Sequence, residues 1–169
     1  DALAVLAMAS ERLARDVELV FCIGSSVREL SDLGIRSSRL RAMWVSQSEV
    51  RRLQSAAHVL VAPLSYKNGS ADEVRTVFST KILEYLVSGR PIVVFAPPDS
   101  FQARSARENG WGLTVEEDSP EALADAVMKV MEDDNLAAGL VAAALEEARR
   151  RDARFHAQRL YEWVATERS

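Results

Sequence analysis

Ser79-Thr-Lys-Ile-Leu-Glu-Tyr-Leu-Val-Ser-Gly89 reads as a helix that stops at a glycine, and Pro91-Ile-Val-Val-Phe-Ala96 follows it as a strand closed by Pro97-Pro98. The strand is apolar without interruption. A continuous apolar run of that length, bounded by turn residues, is what a strand covered on both faces requires. A helix joined to such a strand by a single tight turn is the repeating unit of an α/β sheet.

The same unit recurs on both sides. Upstream, Val59-Leu-Val-Ala62 is a strand ended by Pro63, followed by a polar loop from Leu64 to about Phe78 that contains Asn68-Gly69-Ser70. Further back, a helix over Ala2 to Ala14 leads into Leu19-Val-Phe-Cys-Ile23, a strand closed by Gly24-Ser25-Ser26. A short helix from Val27 to Leu33 stops at Gly34. Leu40 to Val45 forms another strand, and Ser46-Gln-Ser-Glu49 is a capping box that starts a helix running to about Ala57. Downstream, a helix over Phe101 to Glu108 turns at Asn109-Gly110 into a strand from Gly112 to Val115. Ser119-Pro120 then places a cap and a first-turn proline ahead of two or three helical segments. The alternation predicts a Rossmann-like, doubly wound, mostly parallel sheet with helices on both faces, a three-layer α/β domain.

Composition narrows the function classes. The 169 residues fit one domain, and a charge of −4 supplies no basic field for a nucleic acid. Cys22 is the only cysteine and sits in an apolar run, so it reads as core and no disulfide forms within the chain. His58 and His156 share no metal-ligand spacing, no metal site is expected, and no apolar stretch has the length of a membrane span. Trp111 and Trp163 read as packing residues, and Gly24-Ser-Ser lacks the glycine spacing of a dinucleotide fingerprint.

In a doubly wound sheet, ligands bind beyond the carboxyl ends of the strands. Three loops qualify: Gly24 to Ser26, Trp44-Val45-Ser46, and Leu64 to Phe78. The helix after the third is the informative one. Lys81 in its first turn faces the positive end of the helix dipole, a placement that an anion at that end would make favourable. Glu84 lies three residues after Lys81 and four after Thr80, so the three share a face, and its carboxylate suits the paired hydroxyls of a ribose. The spacing alone equally describes a Lys81–Glu84 surface pair with Ser79 as an ordinary cap.

Phe78 to Val94 resembles the donor-site segment of glycosyltransferases of the GT-B type, especially the large retaining family 4. His58-Val-Leu-Val-Ala-Pro63, Gly110-Trp-Gly-Leu-Thr-Val115 and Ser119-Pro-Glu-Ala-Leu-Ala124 resemble its flanking strands and closing helix. The resemblance implies a domain that binds a nucleoside-diphosphate sugar, UDP- or GDP-linked, with no metal or other cofactor, for transfer to an acceptor. It implies that Glu84 holds the ribose, that Ser79 and Thr80 offer backbone N–H groups to the diphosphate, and that Lys81 reaches a phosphate oxygen. Met43, Trp44 and Val45 would lie near the base, and Gly24, from another of the three candidate loops, is a further binding residue. Thr76 stands where the family's E-x7-E motif has its first, sugar-contacting glutamate, so the chain departs from the pattern there. No catalytic residue is identified.

Residues 1–169 are expected to form one donor-binding domain, the second of the two that such enzymes use, with a helical segment over about 153–167 that packs on the absent acceptor domain. Left alone, Leu160 and Trp163 of that segment would expose apolar surface and favour self-association. The beginning of the chain matches the helix after the domain's first strand, so the expectation is a gapped sheet, a rearranged pairing or a borrowed strand. The same resemblance implies a cytoplasmic protein at the inner membrane face, in cell-envelope or polysaccharide biosynthesis. Two alternatives stand beside it: a non-catalytic nucleotide-binding subunit of a split transferase, and a sugar-nucleotide epimerase-like domain.

Overall fold

In the computed structural model, residues 2–22, 27–32, 35, 37–66, 71–152, 157 and 163 are described. The elements in chain order are α1 (Ala2–Ser10), β1 (Leu19–Cys22), α2 (Val27–Asp32), β2 (Leu40–Met43), α3 (Gln47–Ala56), β3 (Leu60–Pro63) and α4 (Ala71–Thr76). They continue with α5 (Thr80–Leu86), β4 (Ile92–Phe95), α6 (Phe101–Asn109), β5 (Leu113–Val115), α7 (Pro120–Glu132) and α8 (Asp134–Arg150).

Among the described residues every strand pairing is parallel, and the strands form two sheets. β1 pairs with β2 with Leu19 opposite Leu40 and Cys22 opposite Met43. β4 lies between β3 and β5, with Leu60 opposite Ile92 and Val93 opposite Leu113. Among the described residues no ladder joins β1 to β3, so the sheet is interrupted there, one of the three expected arrangements.

All four residues of β4 are 0% exposed, which explains its unbroken apolar run. Alternate side chains go to opposite faces. On one face, Val93 and Phe95 join Phe21 of β1, Leu40 of β2, Val5 and Leu6 of α1, and Leu123 and Val127 of α7 in one cluster. This cluster spans both sheets, so side-chain packing bridges the break that backbone bonds leave. On the other face, Ile92 and Val94 pack with Ile82 and Leu86 of α5, Ala103 and Ala106 of α6, and Trp111. Helices therefore cover both faces of the three-stranded sheet, as a doubly wound fold demands.

Several local readings shift. α1 stops at Ser10, whose hydroxyl donates to the Ala7 carbonyl at 2.6 Å and pairs with the Ser37 hydroxyl across the chain, drawing the backbone away from a further turn. β2 ends at Met43, two residues early, and Trp44 and Val45 belong to the connection. β3 begins one residue later than expected and takes in Pro63; the Pro63 nitrogen has no proton to donate, which is tolerable at a strand end. The stretch from Leu64 to Phe78 contains a helix, α4, where an uninterrupted loop was expected. Asp133 breaks the C-terminal helices apart and caps the second, accepting from the Leu136 N–H at 2.9 Å. Gly110, at φ 69°, closes α6 in the left-handed conformation that a side chain would oppose.

Cys22 corrects the core reading: it is exposed. β1 has β2 on one side and only one face on the core, so Phe21 points in while Val20 and Cys22 point out. Trp111 does pack as expected, fully buried with its indole N–H donating to Ser105 Oγ at 3.1 Å. Gly24 lies outside the described residues, as does the segment over 153–167 apart from Ala157 and Trp163. Trp163 is 58% exposed.

Candidate functional site

α5 is short, and two buried residues one turn apart fix it. Ile82 and Leu86 are inserted between the helix and β4, at 0% and 1% exposure. With that face committed to the core, Thr80, Lys81 and Glu84 are left on the exposed side. Ser79 is the N-cap, at φ −65° and ψ 127°; its carbonyl accepts from the Ile82 N–H at 3.0 Å, while its hydroxyl makes no capping bond.

The surface-pair reading of Lys81 and Glu84 does not describe their partners. Glu84 Oε2 accepts a hydrogen bond from Gln54 Nε2 of α3 at 3.3 Å. Among the described residues Lys81 enters no ion pair. An exposed ammonium, two hydroxyl-bearing residues and a carboxylate one turn further thus lie together on one short helix.

Burial pushes the Tyr85 phenol pKa up, with smaller contributions from the nearby Cys22 thiol and the Glu84 carboxylate. The Cys22 thiol is itself raised by partial burial, so it is mostly protonated at neutral pH. Gln54 carried no sequence signal for this location; only its hydrogen bond to Glu84, thirty residues along the chain, shows it.

The other expected residues are placed less closely. Trp44 is 76% exposed and Val45 half-buried, on the connection between β2 and α3. That connection is held by Ser46, whose N–H donates to Glu49 Oε2 at 3.0 Å and whose hydroxyl donates to the same oxygen at 2.6 Å. This is the glutamate half of the expected capping box. Thr76 is exposed and ends α4, four residues ahead of α5. The connection from α4 to α5 passes through Phe78, which packs edge-on against Phe101 and Trp111.

Among the described residues no group of His, Cys, Asp and Glu is arranged to hold a metal. A shallow depression of about 290 Å³ lies elsewhere, between β5 and α7, lined by Glu116, Glu117, Asp125 and Lys129 among others. Three carboxylates against one lysine make it a poor receptor for a phosphate. The exposed face of α5 is the better candidate, with Lys81 as an accessible cation.

Comparison with known proteins supports the fold and supplies the family. No curated protein matches the chain. Among solved structures it is similar to Anabaena HepE in complex with UDP, at 19% identity and a TM-score of 0.66, over 96% of this chain and 44% of that one. The complex of the same protein with UDP-glucose gives 18% identity and a TM-score of 0.67, with the same coverage. WaaG, a glycosyltransferase involved in lipopolysaccharide biosynthesis, matches at 20% identity and a TM-score of 0.58, over 89% of this chain and 39% of that one. The chain thus spans less than half the length of each of these proteins. Likeness at such identities is likeness of fold. The family model described as glycosyl transferases group 1 covers residues 1–133, most of the chain, and on that match the chain belongs to the group 1 glycosyl transferases.

Proposed function

We propose that this domain binds the nucleoside-diphosphate sugar for a GT-B glycosyltransferase of the family 4 kind. The observation that carries the reading is the fold match to HepE over 96% of the chain, a protein solved with UDP and with UDP-glucose. UDP is accordingly the first candidate nucleotide and GDP the second. In this reading the backbone N–H groups at Ser79 and Thr80 and the Lys81 ammonium hold the diphosphate. Glu84 exchanges its long bond to Gln54 for the ribose hydroxyls. Trp44 and Val45 border the base, and Gly24 is a further binding residue in this reading.

The domain's share of catalysis is to stabilise charge that develops on the leaving diphosphate. The acceptor is bound by another domain, or by a partner subunit, against which the segment over 153–167 packs; without that cover the segment supports self-association. The same reading places the protein in the cytoplasm at the inner membrane face, making cell-envelope polysaccharide. Thr76 favours a second arrangement, a nucleotide-binding subunit whose partner supplies the acidic group that contacts the sugar.

Calorimetric titration of the chain with UDP and GDP, beside Glu84→Ala, tests the reading. Loss of a charge-assisted contact costs about 1.5–3 kcal/mol, about ten- to hundredfold in affinity. Glu84 is exposed and its internal bond is long, so the melting temperature of the variant should stay at the wild-type value. Equal nucleotide affinity in both proteins would remove Glu84 from the site.

A further inference from the structure

Phe78 immediately precedes the helix cap at Ser79, and one side chain from the end of α8 lies over it. The Arg151 guanidinium carbon is 4.4 Å from the centre of the Phe78 ring and 5.9 Å from that of Phe101. The same guanidinium is fixed on its other edges. Its Nε donates to Glu147 Oε1 at 2.7 Å, and its Nη2 lies 2.7 Å from that oxygen and donates to Ser105 Oγ at 3.1 Å. Ser105 Oγ also accepts the Trp111 indole proton.

Glu147 is 5% exposed, so its charge requires this partner, and the α8 terminus suits a cation. A planar guanidinium can stack on a ring and bond a carboxylate and a hydroxyl at once, which an ammonium cannot do with the same geometry. The i,i+4 pair with Glu147 supports the end of α8, but that alone does not require contact with Phe78. The consequence of the whole arrangement lies at Phe78, whose ring it holds down over Phe101 and Trp111 and whose backbone leads directly into Ser79, Thr80 and Lys81.

We infer that Arg151 is a positioning residue for the diphosphate site, clamping Phe78 so that the Ser79–Lys81 turn is ordered before nucleotide arrives. The inference rests on the donor-binding reading above. It adds a residue that touches no ligand, seventy positions along the chain from Lys81.

The test combines UDP titration with amide hydrogen exchange of the apo protein, on wild type, Arg151→Met, Arg151→Lys and Ala137→Gly. Ala137→Gly weakens α8 by helix propensity and lies away from the cluster, so it reports what simple destabilisation does. Arg151→Met should weaken UDP binding about tenfold and speed exchange at Thr80, Lys81 and Ile82 relative to the core. Arg151→Lys should recover part of both losses, about threefold weaker than wild type. Ala137→Gly should lower the melting temperature and leave both measurements at wild-type values. Unchanged UDP affinity in Arg151→Met, or an equal loss in Ala137→Gly, overturns the inference. If wild type binds neither UDP nor GDP, the donor reading falls and takes the positioning role with it. Faster exchange in Arg151→Met under that outcome would identify the clamp as structural only.

Discussion

Gly112 tests how closely the sheet and α6 are fitted together. A β-carbon built there would lie 2.9 Å from Val94 Cγ2, 3.2 Å from the Ile92 carbonyl oxygen and 3.7 Å from Ala106 Cβ. None of these has room to withdraw. Val94, Ile92 and Ala106 are all 0% exposed, and Ile92 lies in the central strand of its sheet. Overpacking of this kind costs about 1–3 kcal/mol, offset by about 0.4–1 kcal/mol because alanine restricts the unfolded chain. A net loss of about 1–2 kcal/mol lowers the melting temperature of a domain this size by about 2–8 °C. Gly139 supplies the opposite case on α8, where an added β-carbon meets nothing within 4 Å. Gly139→Ala should therefore raise the melting temperature, by about 1–4 °C for about 0.5–1 kcal/mol of helix propensity. Thermal melts followed by far-UV circular dichroism check both. If Gly112→Ala melts at or above wild type, the close approach of β4 and the Trp111 turn is wrong.

Two further predictions concern the ends of the strands. Ser46 hydrogen bonds, through its hydroxyl and then its N–H, hold the Glu49 carboxyl below its ordinary pKa. A depressed folded-state value means stability present above the unfolded pKa and lost as pH falls through the folded one, so Ser46→Ala should raise the Glu49 pKa in an NMR titration and lessen the acid sensitivity of α3. An unmoved Glu49 resonance would deny the cap. Cys22 is exposed but its thiol pKa is raised, so maleimide should label it slowly at neutral pH and faster as pH rises. If the donor reading holds, UDP should slow that labelling, because Cys22 stands at the carboxyl end of β1, where such sheets bind ligands; labelling indifferent to UDP would separate β1 from the nucleotide site.

β4 was legible because it buries four apolar residues without a break, and burial on two faces leaves few alternatives. α5 was legible for a related reason, since Ile82 and Leu86 at i and i+4 must face a core, but the helix ends at Leu86, ahead of the expected stop at Gly89. What the chain could not reveal is what depends on neighbours in space. Cys22 reads as core in an apolar run, but β1 offers only one face to the packed cluster, and sequence does not show which face lacks a cover. Lys81 and Glu84 read equally well as a pair, until α3 brings Gln54 to the carboxylate. Arg151 sits in an arginine-rich stretch whose members look alike. Only the fold distinguishes the one that reaches Phe78 from Arg149 and Arg150, which reach Glu146 in exposed pairs. Such pairs contribute little, whereas a guanidinium held by a buried carboxylate does not move freely.

The interrupted sheet should divide the domain into parts of unequal stability. β3, β4 and β5 are covered on both faces, and β4 has a strand on each side. β1 and β2 pair only with each other among the described strands, and a two-stranded unit is marginal without packing. What holds them is one shared face, through Phe21 and Leu40 against α1 and the β4 side of the core. Local opening draws on contacts in the element that opens, so amides of β1 should exchange through openings less costly than global unfolding. Those of Val93, Val94 and Phe95 should require unfolding of the whole domain. A difference of at least about hundredfold in protection is expected, about 2.7 kcal/mol of opening free energy. Native-state hydrogen exchange in low denaturant measures it directly. If β1 and β4 amides merge into one exchange isotherm, the face shared through Phe21 binds the two sheets as tightly as a hydrogen-bonded ladder would, and the break between β1 and β3 has no energetic meaning.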